Sequence, residues 1–328
     1  MNWDLLGHEW AVDLLREHIA RGQVRHAYLL TGPRGVGRRT LALKMAQALN
    51  CDHPPTPGEP CGACLNCAKI GRMQHPDLTV VQAEQEGGVL KVDQVRELQR
   101  SLALHPYQAR YRVALLLRFE EAHSSAMNAL LKTLEEPAPQ VVLLLTAESA
   151  ERLLPTIVSR CEVLRLRPLS LTQTSLGLQS RWGLPAQEAE LLAHISNGRP
   201  GFALGLHREP DRLARRQAWL DDQTRLLAAS RVERFGYIDP LYKDKEALRN
   251  VLLVWLSYWR DVLLKATAAS APIANLDRQN EIESLAKQVG WQVAHRSAAA
   301  IERSLERLER NVNPRLVAEV LMLDLPRI

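Results

Sequence analysis

No stretch of this chain runs to eighteen uninterrupted apolar residues, and the first residues, Met1-Asn2-Trp3-Asp4, carry neither a basic segment nor an apolar core. A spanning helix needs about twenty apolar residues, and an export leader needs both of those parts. The chain therefore reads as cytoplasmic, with no membrane partner expected. Cysteine is scarce too, five in 328 residues, which is too few for a disulfide-built scaffold. Hydrophobic residues at 46% and charged ones at 24% exclude a disordered chain and leave room for two or three globular domains. A net charge of +5 with a pI near 9.0 permits an acidic partner such as nucleic acid, but the charge is spread along the chain and selects none.

The few cysteines are clustered. Cys51, Cys61, Cys64 and Cys67 fall within seventeen positions as Cys-x9-Cys-x2-Cys-x2-Cys. Without an export signal, that spacing points to tetrahedral thiolate ligation of Zn²⁺, ahead of an iron–sulfur cluster or free thiols. Pro54, Pro55, Pro57, Gly58, Pro60 and Gly62 make the segment a poor helix or strand, as expected of a metal-held knuckle. Four protein ligands leave no open position for water or substrate, so the zinc is expected to be structural.

A lysine is missing where one is needed. Gly32-Pro33-Arg34-Gly35-Val36-Gly37-Arg38-Arg39-Thr40 has the glycine spacing of a phosphate-binding loop, follows the apolar Ala27-Tyr28-Leu29-Leu30 and opens a helical pattern. Arg38 stands at the lysine position and Arg39 at the hydroxyl position, where a guanidinium cannot ligate Mg²⁺. Thr40 comes one residue late. The loop is expected to be degenerate, with no functional nucleotide site at Gly32, Gly37, Arg38, Arg39 and Thr40 and with ATP not bound.

Around the loop, strands and helices alternate. Helical spacing covers Glu9 to Ile19, Thr40 to Leu49, a segment with Val92, Val95 and Leu98, and Ser124 to Leu134. Strand patterns cover Tyr28 to Leu30, Leu78 to Val81, Arg112 to Leu117 and Val141 to Thr146, with a turn at Gly87-Gly88. The last strand is the most apolar run and belongs in the middle of a parallel sheet. The expectation is a doubly wound α/β domain over 1–166, with the zinc module at 51–67. Pro168-Leu169-Ser170-Leu171-Thr172 reads as a linker ending in a helix cap. It leads to a small helical domain over 167–207, broken at Asn197-Gly198-Arg199-Pro200-Gly201. Over 208–328 every periodic stretch is helical, including Leu248 to Ala266 and Ser297 to Glu309.

Asn128-Ala129-Leu130-Leu131-Lys132-Thr133-Leu134-Glu135-Glu136-Pro137, the later Ser159-Arg160-Cys161 and the inserted four-cysteine module closely resemble the clamp-loader subunits of bacterial DNA polymerase III, in the AAA+ family. The resemblance covers the first 205 residues by motif and the rest by helical content. It implies a P-loop NTPase-like core, a helical lid and a helical collar that joins subunits in a ring. The family contains ATP-hydrolysing motor chains and a non-hydrolysing chain that shares their ring. Counting back from Asn128 without gaps places the motor chains' Mg²⁺-binding aspartate on Leu117 and the neighbouring glutamate on Arg118. A loop about three residues shorter instead aligns Glu120-Glu121-Ala122-His123 with the acidic box. Both alignments are open, and both depart from the motor pattern.

By the same resemblance, Arg160 projects into a neighbouring subunit's ATP site as an arginine finger acting in trans. The competing reading is a surface or ion-paired arginine. Thr146 matches a γ-phosphate sensor but is expected simply to end its strand. Arg199, near the motor chains' sensing arginine, is expected to be a turn residue. Glu135 and Glu136 point in different directions at a helix end marked by Pro137, and read as structural or interfacial. Trp255, Tyr258 and Trp259 beside Arg260 suggest base stacking, but their spacing with Leu252 and Leu263 favours an apolar core or collar stripe. The run Arg208 to Arg216 reads as a solvated face.

The implied function is that of the non-hydrolysing stator. It has no activity alone, within a DNA-directed DNA polymerase holoenzyme, with the motor subunits and the delta subunit as partners and the sliding clamp and primed DNA reached through the complex. An ATP-hydrolysing motor subunit and a structural DNA-binding module are the alternatives.

Overall fold

The most apolar run of the sequence lies at the centre of a parallel sheet. The structure, a computed structural model, describes residues 3–85 and 87–328; Met1 and Asn2 of the opening segment lie outside them. Among these residues the sheet has five strands, β1 (Ala27–Thr31), β2 (Leu78–Val81), β3 (Arg112–Leu116), β4 (Val141–Ala147) and β5 (Glu162–Arg165). Their order is β2-β3-β4-β1-β5, and every pairing is parallel. The register sets Leu30 beside Thr146 and Leu116 beside Leu145, so β1, β3 and β4 end side by side. A doubly wound sheet forms its ligand crevice at such an edge.

Alternate residues of a strand face opposite ways, and two apolar clusters result. Tyr28, Leu30, Val113 and Leu144 pack with α1 (Glu9–Ala20) and α2 (Arg38–Leu49). α3 (Leu65–Gly71) follows α2 in the chain. Leu29, Ala114, Leu143 and Leu145 pack with α4 (Val92–Leu102) and α5 (Ser124–Glu135) on the other face, ahead of the single-turn α6 (Pro155–Val158). The segment expected to be neither helix nor strand ends in a helix after all, because the Cys64 sulfur accepts from Cys67 N–H and caps α3. β5 went unexpected.

The remaining helices are α7 (Leu171–Trp182), α8 (Ala186–Ile195), α9 (Pro200–Arg208), α10 (Pro210–Ala228), α11 (Arg231–Leu241), α12 (Lys245–Ala266), α13 (Gln279–Glu309) and α14 (Pro314–Asp324). The linker cap is present, since Ser170 Oγ accepts from Gln173 N–H at 3.1 Å. The chain divides into two compact units. One holds the residues up to Gly177 together with Gly198–Phe202, the other Leu178–Asn197 and Ala203–Ile328.

In the second unit Trp255, Tyr258 and Trp259 of α12 are at most 2% exposed, and form its core with Ile282 and Ile301 of α13 and Leu321 of α14. These rings pack inside the unit and present no stacking surface. α13 is interrupted at Gly290, whose φ of 71° leaves the helical region. The charge run from Arg208 is not solvated throughout. Arg216 is buried, gives two hydrogen bonds to Asp277 at 2.7 and 3.0 Å, and gives one to Asn275 at 2.6 Å. These partners lie about sixty residues away, so no local pattern announced them. No helix among the described residues is long and apolar enough to cross a membrane.

Candidate functional site

The glycine-rich loop joins β1 to α2, and its conformation explains its glycines. Gly32, Gly35 and Gly37 have φ of 145°, 81° and 116°, which residues with a Cβ rarely adopt. At Gly35 space is also closed, because a Cβ would lie 2.5 Å from the Phe202 nitrogen. Gly32 N–H donates to the carbonyls of Ala147 and Glu148 at the end of β4, and Gly201 N–H donates to Gly35 O at 2.8 Å. The first turn of α9 therefore seals one side of the loop.

A cleft of about 280 Å³ remains, lined by the loop with Leu117, Arg118, Thr146 and Gly201. Arg38, the first residue of α2, is 7% exposed, and its Nη1 makes no hydrogen bond among the described residues. Burial works against its charge, while Glu120 and Glu148 sustain it. Arg39 and Thr40 are exposed at the cleft, and Arg39 Nη2 reaches the Met73 sulfur at 3.3 Å.

Both alignments of the acidic box put residues here. Leu117 and Arg118 follow β3 and line the cleft, while Glu120 and Glu121 sit on the 3-10 turn Phe119–Glu121. Glu121 Oε1 is 3.0 Å from Arg118 Nε, accepts from Gly87 N–H at 3.2 Å and lies 3.8 Å from Arg34 Nη2. Glu148, just beyond β4, lies 3.8 Å from Arg34 Nε, and its N–H donates to Glu120 Oε1 at 3.2 Å. Burial raises the Glu120 pKa, partly offset by its own backbone and by Arg38. The cleft thus neutralises its own charges with arginine–carboxylate contacts. Glu148 was missed from sequence, although its place at the end of a central parallel strand was a usable signal.

Thr146 is buried one residue before the end of β4, and its hydroxyl accepts from Arg118 N–H at 2.9 Å. Arg118 has a φ of 50° at this contact, a left-handed conformation that costs a non-glycine residue about 1 kcal/mol. Arg199 lies in the turn before α9, its guanidinium 4.5 Å from the Phe202 ring centre. Burial lowers its pKa, and the charge of nearby Glu148 raises it in part.

The four cysteines converge. The sulfurs of Cys51, Cys61, Cys64 and Cys67 all lie within 4.8 Å of one another. Tetrahedral zinc at about 2.3 Å from each sulfur would set them roughly 3.8 Å apart, so the set fits a four-coordinate metal. Backbone N–H groups already point at the sulfurs, from Cys61 to Cys51 at 3.3 Å and from Cys64 to Cys61 at 3.2 Å. The N–H groups of Cys64 and Ala63 bring the Cys61 pKa down to about 6, while burial pushes that of Cys67 up. Supports lie outside the ligand set. Gln47 of α2 donates to Cys67 O, Trp3 Nε1 donates to Gly58 O at 3.0 Å, and Arg16 pairs with Glu59 at 2.8 Å. Asp77 N–H donates to His75 Nδ1, so His75 Nε2 carries the proton given to Asn66 Oδ1 at 2.9 Å. Asn66 in turn donates to Asp52 at 2.8 Å.

Arg160 follows α6, and its side chain is 34% exposed. It is ion-paired, as one reading allowed: Nη2 lies 2.7 Å from Glu135 Oε1, and Nη1 donates to Thr156 O at 2.8 Å. Cys161 beside it is buried enough to raise its thiol pKa to about 12, which keeps it an unreactive neutral group.

Comparison with known proteins gives a consistent set of relatives. Residues 7–170 match the family model described as DNA polymerase III, delta subunit, and residues 211–326 match the model of that subunit's C-terminal part. A Pseudomonas aeruginosa protein named DNA polymerase III subunit delta' is 39% identical over 211 residues, and the chain spans 63% of that relative's length and 63% of its own. A Bacillus subtilis protein of the same name is 30% identical over 316 residues, 95% of this chain and 94% of that one. The Escherichia coli protein named DNA polymerase III subunit tau is 35% identical over 170 residues, 52% of this chain and 26% of that one. Among solved structures, a DNA polymerase III gamma subunit-related protein from Thermotoga maritima superposes with a TM-score of 0.44 at 14% identity, covering 95% of this chain and 97% of that one.

Proposed function

The chain belongs to the DNA polymerase III delta subunit family, and we propose that it serves as a delta-prime-type stator of the replicative clamp loader, a ring member that does not hydrolyse ATP. The observation that carries this reading is the cleft itself. Hydrolysis in a phosphate-loop protein needs a lysine on the β/γ-phosphates, a hydroxyl and a carboxylate on Mg²⁺, and a group to orient the attacking water. Here the first two are Arg38 and Arg39, and the nearest carboxylates face arginines of the same chain. Incoming Mg²⁺ would meet Arg34, Arg38 and Arg118 in the lining, and the neighbouring carboxylates Glu120, Glu121 and Glu148 already engage these arginines.

Arg160 supports the second half of the proposal. It sits after α6, on an exposed turn, and a permanently charged planar guanidinium suits a terminal phosphate. Supplied in trans, it would stabilise the charge that develops when a motor subunit's γ-phosphate is transferred. The motor and delta subunits would be its neighbours in the ring, which opens a sliding clamp and places it on primed DNA in the cytoplasm. In this reading residues 167–207 form the lid and 208–328 the collar. The four cysteines hold a structural zinc; its chemistry is ligation alone, since no protein-free position remains.

One observation favours a motor, namely Glu120 and Glu121 on the turn beside the cleft. Their arginine partners argue against it, and equilibrium binding separates the two readings. ATP titrated to millimolar concentration into the zinc-loaded full chain, with and without Mg²⁺, is expected to give no Mg²⁺-dependent saturable binding and no phosphate release. Mg²⁺-dependent binding with turnover would make the chain a motor.

A further inference from the structure

Glu135 ends α5 and Arg160 follows α6, 25 residues later, yet the two side chains meet at 2.7 Å. A second acceptor, the Thr156 carbonyl, takes the other terminal nitrogen at 2.8 Å. With one acceptor on each Nη, the plane of the guanidinium is fixed. Arginine carries five N–H donors in a rigid fork, and the two contacts leave the rest of the fork for an anion. The pair is not a core device, since its side chains are 34% and 51% exposed. Exposed ion pairs add little to folding stability, so the main consequence of this one is orientation.

We infer that Glu135 is the positioning residue for Arg160, holding the guanidinium in the attitude in which its remaining N–H groups meet the terminal phosphate of a partner chain. The inference rests on the reading of Arg160 as a finger in trans. An unrestrained arginine samples many rotamers and must give up that freedom on engaging a phosphate. Glu135 and Thr156 impose that restriction beforehand. The carboxylate stays ionised and paired throughout, and no proton moves. Glu135 is assigned no contact with the nucleotide, and its effect runs through Arg160.

The test uses the full chain assembled with its motor subunits, clamp and primed DNA, and measures ATP turnover against ATP concentration for E135A, E135Q, R160A and E135A/R160A. E135A is expected to lower kcat about two- to fivefold, the scale of one exposed ion pair, with KM for ATP unchanged. E135Q, whose amide oxygen still accepts from Nη2, is expected to keep more than half of the wild-type rate. E135A/R160A is expected to be no slower than R160A, because the two residues form one unit. The inference is overturned if E135A slows the R160A complex by the same factor as wild type, or if E135A leaves kcat unchanged or raises it. A slow R160A with a wild-type E135A removes only the positioning role; a wild-type R160A removes the finger reading itself. E135Q keeps the test open should the alanine variant fail to enter the ring.

Discussion

The side-chain amide of Gln47 donates to the backbone carbonyl of Cys67 at 2.7 Å. Gln47 lies in the last turn of the helix that the phosphate-type loop opens, and Cys67 is the buried member of the cysteine cluster. The metal module is therefore fastened to α2 by a bond through which loss of the metal would reach the core.

Zinc is expected at one ion per chain by elemental mass spectrometry. Chelation, or serine at all four cysteines, is expected to raise hydrogen exchange at 51–75 and in the last turn of α2, and to leave the second unit unchanged. Structural zinc contributes on the order of 10 kcal/mol to small modules, so local structure should be lost before the sheet. Gln47→Ala should cost about 1 kcal/mol in urea unfolding, because it removes the side-chain hydrogen bond that ties α2 to the Cys67 carbonyl.

Asp77 sets an acid limit on stability. Its carboxylate is buried, which alone would raise its pKa, but the N–H groups of Tyr107, Gln108 and Ala109 and the Arg112 guanidinium outweigh this and hold it low. A carboxylate whose pKa is lower folded than unfolded gives its full stabilisation above about pH 4 and loses it as pH falls through the folded value. Asp77→Asn should cost about 1–3 kcal/mol at pH 7. Its penalty relative to wild type should shrink below pH 4, as measured by urea unfolding at pH 7 and pH 3.

Restoring the loop should not restore the reaction. The variant R38K/R39T regains the lysine and hydroxyl of a phosphate loop, but the cleft keeps Leu117 and Arg118 at the end of β3 and Glu121 within reach of Arg118 and Arg34. Phosphate release by the isolated variant is expected to stay at background, in an assay at millimolar Mg²⁺·ATP.

The elements that could be read in advance are those whose determinants are local. β4 is a run of five apolar residues followed by a threonine, and α12 repeats its aromatic and aliphatic residues at helical spacing, so periodicity placed both. β5 escaped because it has four residues, charged at both ends, and pairs only with β1 at the sheet edge. α3 was hidden by the proline-rich stretch before it and by a cap supplied by a cysteine sulfur. Arg234 shows what no local pattern can give. It is buried with no carboxylate partner among the described residues, and its guanidinium instead donates to the carbonyls of Leu226, Leu227, Met322, Leu325 and Pro326 at the ends of α10 and α14. At the site, the cysteine spacing and the missing lysine were legible, being spacings within one segment. The pairing of Arg160 with Glu135 was not, because it joins two helix ends that only the fold brings together.

The central claim is that this chain completes an ATP site it does not own. Pre-steady-state phosphate release from the assembled complex tests it most directly, comparing wild type with Arg160→Ala at saturating ATP in the presence of clamp and primed DNA. A finger in trans contributes about a thousandfold or more to the rate, so R160A is expected to lower the burst by one ATP per complex while the ring still assembles. An unchanged burst amplitude and rate would contradict the account.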